Sequence, residues 1–63
     1  MPIIGQEIIM NDGSRFIVTS ITNKHHNLII SLKPISNNRI RYATYWSRIK
    51  ELLTLNMLTI VQQ

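Results

Sequence analysis

Any chemistry in this 63-residue chain must come from seven Lys/Arg, three Asp/Glu and two His, with no cysteine available. The cations carry the most informative spacing. Arg39 and Arg41 stand two residues apart, so an extended strand turns both to one face, and Tyr45 falls in step with them. Arg48 and Lys50 follow a few residues later, where the apolar period becomes helical. Cations beside an aromatic ring hold phosphates by charge and bases by stacking. Three acids against seven bases, a net charge of +4, leave most of these cations without an opposite charge. The expectation is therefore a small nucleic-acid-binding domain, an accessory or regulatory protein contacting DNA or RNA through Arg39, Arg41, Arg48, Lys50 and Tyr45. The alternative is a protein-interaction module, an assembly subunit or a modulator of a larger enzyme, docking through Trp46 and Tyr45 on an apolar or aromatic surface. Charge-driven binding weakens steeply with salt and an apolar interface does not, which separates the two.

Catalysis finds few candidates. His25 and His26 are adjacent in a polar stretch, and neighbours on extended backbone point in opposite directions, away from a common metal or substrate. They read as solvated turn residues. The acids Glu7, Asp12 and Glu51 are scattered over a strand start, a turn and a helix beside Lys50. No glycine-rich phosphate loop, HExxH, GxSxG or EF-hand pattern occurs. The expectation is no enzyme, no cofactor, no metal and no small-molecule substrate. The missing cysteines exclude disulfides, thiolate zinc sites and iron–sulfur clusters.

These residues need a scaffold. Ile-rich residues 3–10 lead into Asn11-Asp12-Gly13-Ser14, where Asp-Gly supplies the backbone freedom of a tight hairpin, with the Asp12 side chain bonding nearby amides. Residues 15–22, rich in β-branched side chains and Phe16, form the next strand. The polar stretch 23–27 precedes a third strand over 28–33, whose Leu28, Ile30 and Leu32 share a face. Pro34 and Ser36-Asn37-Asn38 break it. A fourth strand over 39–42 points Ile40 and Tyr42 inward and both arginines outward. Trp46, Ile49, Leu52 and Leu53 are then spaced as on a helix, with Thr44 or Ser47 as N-cap and Asn56 as the stop. Trp46 reads as a core residue bridging helix and sheet. Residues 57–61 read as a closing strand.

Four strands with short links, one short helix and a last strand form a mainly β single domain over 1–63. That order resembles the SH3-like small barrel, five strands with the last beside the first. The resemblance is one of architecture, and it implies no proline-peptide site, because the acidic loop and paired aromatics that bind such peptides are missing. The alternative is an open antiparallel sheet with one helix, dimeric. Twelve isoleucines bear on the choice. If strict alternation puts Phe16, Val18 and Ser20 inward, Ile17 and Ile21 face outward; the opposite phase exposes Phe16 and Val18. Either way apolar surface remains for the helix or for self-association. No apolar run approaches the roughly 20 residues that span a bilayer, and the first seven residues hold an acid and no basic cluster. A soluble cytoplasmic protein without a membrane partner is expected.

Overall fold

A computed structural model describes residues 1–61. The described chain forms β1 (Glu7–Met10), β2 (Arg15–Lys24), β3 (Asn27–Pro34), β4 (Tyr42–Tyr45), α1 (Trp46–Thr54) and β5 (Leu58–Ile60). All ladders are antiparallel, in the order β4-β3-β2-β1-β5. The last strand thus lies beside the first, as expected, with Ile8 opposite Ile60. The sheet does not close: β4 and β5 are its two edges, and α1 spans between them across one face. The architecture is an open antiparallel sheet with one helix packed against it.

The core lies between helix and sheet. Ile8, Val18, Ile30, Leu32, Ile49 and Leu58 are buried, with Met10, Phe16, Ile21, Trp46, Leu52, Leu53 and Ile60 packed around them. Phe16, Val18 and Ile21 cannot all face inward under strict alternation. A bulge resolves this: Val18 pairs with Leu32 while Ser20 pairs with Ser31, leaving Thr19 as the extra residue. The strand changes phase there and delivers Ile21 to the same side as Val18. Thr19 donates its hydroxyl to the Ser31 carbonyl at 3.2 Å, anchoring the irregular step. The remaining apolar surplus sits in loops and ends, where Met1, Ile3, Ile4, Ile35, Ile40, Leu55 and Met57 are exposed.

Residues 3–6 do not join β1. The Gln6 amide donates to the Ile3 carbonyl at 3.1 Å across a turn in which Gly5 has φ 90°, a conformation that L side chains avoid. Gln6 is buried: its side-chain carbonyl accepts from the Ile3 amide at 3.0 Å, and its side-chain nitrogen donates to the Val61 carbonyl at 2.9 Å. One glutamine ties the turn before β1 to the residue that follows β5. The Asp12-Gly13 hairpin forms as expected, Gly13 having φ 91°. The Ser14 amide donates to Asp12 at 2.9 Å, and hydrogen bonds from Ser14 hold the Asp12 carboxyl below its ordinary range.

The β2–β3 link is a two-residue loop, since Lys24 pairs with Asn27. His25 and His26 have φ of 51° and 66°, the pattern of a type I′ turn, which Asn-Gly satisfies with less strain. The double substitution His25→Asn, His26→Gly is therefore expected to stabilise the fold by about 1 kcal/mol, raising Tm by roughly 5 °C. A thermal melt showing no gain would mean that the loop stores no backbone strain.

Residues 39–41 lie outside β4, which corrects the expected strand over 39–42. Asn37 captures the Arg39 amide with its side-chain oxygen at 2.9 Å, and the Arg41 guanidinium folds back onto the carbonyls of Asn38 and Ile40. Local side-chain bonds of this kind compete with ladder formation, so pairing with β3 begins only at Tyr42 opposite Leu32. Ile40 is accordingly exposed instead of inward. Tyr42 keeps an inward contact, its ring meeting Phe16 edge to face at 5.7 Å, while half of it stays in solvent.

The helix starts directly after β4. Its N-cap position is Tyr45, which makes no side-chain cap bond; Thr44 is spent in the strand and Ser47 already lies inside the helix. Neither expected cap forms. Termination does follow expectation: Asn56 takes φ 58°, its amide donates to Leu53, and Met57 donates back to Leu52 at 2.9 Å. This is a Schellman ending with asparagine in the left-handed position. No described helix is long and apolar enough to cross a membrane.

Candidate functional site

The five residues singled out for phosphate and base contacts do not form one patch. Tyr45 and Lys50 come together. They line a surface cleft of about 180 Å³ with Trp46, Ser47, His26 and Leu28, where the β2–β3 turn meets the start of α1. Tyr45 ends β4 and Lys50 lies one helical turn beyond Trp46, so the strand-to-helix corner folds both onto the same opening. Tyr45 is 54% exposed, which leaves its ring available. Trp46 belongs partly to the core cluster and partly to the cleft wall. Sequence reasoning set His26 aside as a solvated turn residue; the tight two-residue loop is what brings it to the cleft.

Arg48 does not join them. It pairs with Glu51 at 3.0 Å on the helix surface and borders a different cleft, of about 360 Å³. Met10, Phe16, Leu32, Tyr42, Leu52 and Leu58 line that second cleft, with Asp12 also at it. It is the space that the open sheet leaves beside α1. Arg39 and Arg41 sit in the β3–β4 loop, at the end of β4 remote from Tyr45.

Electrostatics favours an anion at the first cleft. The helix N-terminus carries partial positive charge from amides without intrahelical partners; here no side chain caps it and no acid stands in its first turn. Of the seven bases, Arg15 pairs with Glu7 at 3.5 Å and Arg48 with Glu51. Lys24, Lys33, Arg39, Arg41 and Lys50 have no ion-pair partner among the described residues. Lys24 ends β2 next to the His25-His26 turn and does not line the cleft.

Comparison of the chain with protein-family models, curated proteins and solved structures finds no match.

Proposed function

We propose that the protein is a small nucleic-acid-binding domain whose working surface is the cleft at the β4–α1 corner. The observation that carries the reading is the convergence on one opening of an exposed tyrosine, a lysine with no ion-pair partner among the described residues, and an uncapped helix start. Lys50 and the first helical amides suit a phosphate, and the Tyr45 ring, flanked by Trp46, suits an unstacked base. Such a site favours single strands, because bases in a duplex are not free to stack on a side chain. The strand order and the bulge in β2 support a finer reading of the fold as an SH3-like small barrel left open between β4 and β5. A cytoplasmic setting fits this use of the chain.

Fluorescence anisotropy with labelled single- and double-stranded DNA and RNA across a salt series tests the reading. Single strands are expected to bind saturably and to weaken with salt. Tyr45→Ala should reduce affinity about tenfold, the loss of one base stack, with little change in salt slope. Lys50→Ala should flatten the slope by about one unit. Absence of binding to every probe at low salt, or variants that bind like the parent, would sink the proposal. The mostly apolar second cleft suits a protein-docking module, at a different place from Trp46 and Tyr45, which line the first cleft. A partner held there would resist salt.

A further inference from the structure

We infer that His26 is a phosphate ligand of the corner cleft whose protonation couples nucleic-acid binding to pH, so that single strands are held more tightly in mildly acidic than in alkaline solution. The inference deepens the proposed nucleic-acid reading of that cleft and rests on it. It starts from a residue that local structure does not favour. His26 is the second of two consecutive residues at positive φ, 66° after the 51° of His25. A β-carbon makes that conformation unfavourable, whereas glycine takes it freely. Packing does not account for the choice either, since His26 is exposed and lies outside the core cluster. Side chains held in unfavourable backbone conformations cluster at sites that bind or react.

The surroundings of His26 select the ligand. Facing it across the cleft are Tyr45 from the end of β4 and Trp46, Ser47 and Lys50 from α1, with Leu28 from β3 alongside. Lys50 is the one cation in that lining and Tyr45 its one other titratable group; no carboxylate lines the opening. On its own hairpin, His25 and Lys24 flank His26 in the chain and do not line the cleft. A protonated imidazole carries two N–H donors and a full charge, and a neutral one keeps a single donor. Protonated His26 and Lys50 therefore grip an anion from two elements, and in its absence they repel. A phosphate between them favours the charged ring, so binding takes up a proton. The sign follows: affinity is greatest below the range in which histidine titrates and falls as pH rises through it. His25 supplies an internal control. It is the same residue type in the same turn, and its carbonyl accepts from the Asn27 side-chain nitrogen at 3.3 Å.

Fluorescence anisotropy with a labelled single strand, followed between about pH 5.5 and 8 at fixed ionic strength, tests this. The strand carries no terminal phosphate, because a phosphomonoester itself titrates near pH 6. The parent should bind about fivefold more tightly at the acid end, the upper range for one exposed ion pair, with a salt slope steeper there by about one unit. His26→Asn, which tolerates positive φ, should bind at every pH as the parent does at the alkaline end. His25→Asn should keep the parent's profile. His26→Lys should hold the parent's acid-end affinity across the whole range, a gain that a merely structural role for the ring does not produce. The double substitution His25→Asn, His26→Gly should lose the pH dependence in a more stable fold, which separates lost binding from unfolding. A parent profile independent of pH, or equal profiles for His26→Asn and His25→Asn, would overturn the inference; continued weakening by Tyr45→Ala and Lys50→Ala would then leave the proposed function standing. Absence of binding by the parent at every pH would overturn it through the failure of that function.

Discussion

Ile49→Ala is expected to remove about 3 kcal/mol of folding free energy, lowering Tm by roughly 15 °C. Ile49 is 1% exposed and is the one fully buried residue of α1 among the described residues. Truncation loses the transfer free energy of three carbons and leaves a void that the surrounding Ile8, Val18 and Ile30 fill only in part. A domain this small has little stability in reserve, so such a loss takes most of it. Ile49→Val, which keeps the branched stem, should lose only about 1 kcal/mol. Urea titration followed by circular dichroism checks both. A small effect of Ile49→Ala would mean that the helix is not seated on the sheet. The same substitution should weaken nucleic-acid binding indirectly, since α1 carries Lys50 to the cleft.

Gln6→Leu should destabilise the fold by about 2 kcal/mol, or roughly 10 °C in Tm. Leucine has the right bulk for the site. It cannot accept from the Ile3 amide or donate to the Val61 carbonyl, and both groups lose a partner in a partly buried setting. Gln6→Glu separates the two bonds. A carboxylate keeps the bond from Ile3 but faces the Val61 carbonyl with a second acceptor, so this variant should be at least as unstable at neutral pH. Burial and the carbonyl raise the pKa of that glutamate in the folded state. The folded state then binds the extra proton, so stability should be regained as pH falls and be lost again as pH rises through the raised value. Thermal melts of both variants at neutral and mildly acidic pH decide it; a Gln6→Glu melt independent of pH would refute the geometry assigned to Gln6.

Much of the scaffold was legible because its signals are local. Asp12-Gly13 specifies a hairpin, the spacing of Trp46, Ile49, Leu52 and Leu53 specifies a helix, and Asn56 ends it in the left-handed conformation. What escaped depends on competition between neighbours. The bulge at Thr19 is visible only once Leu32 and Ser31 are paired across from it. The start of β4 shifted from 39 to 42 because Asn37 and the Arg41 guanidinium satisfy the loop backbone locally, a preference that charge alternation does not reveal. That shift also dispersed the basic set: read on one strand face, Arg39, Arg41 and Tyr45 were neighbours, and they are found at opposite ends of a short strand. Lys50 and Tyr45 survived as a pair because the corner joining strand to helix is itself encoded by the change of period. Polarity alone marks His26 as a solvated turn residue, whereas the two-residue length of its turn is what brings it to the cleft.

The placement of β5 beside β1 bears on how the chain reaches its native state. The ladders β1–β2, β2–β3 and β3–β4 link successive strands and can form in order as the chain emerges, each closing a short loop. The pairing of Ile8 with Ile60 joins residues 52 positions apart and must wait until β5 is available. Until then the first strand shows a bare outer edge, and Ile8 has one neighbour instead of two. Folding is therefore expected to be limited by the docking of the C-terminal strand, with the interval before it the period of greatest exposure to mispairing.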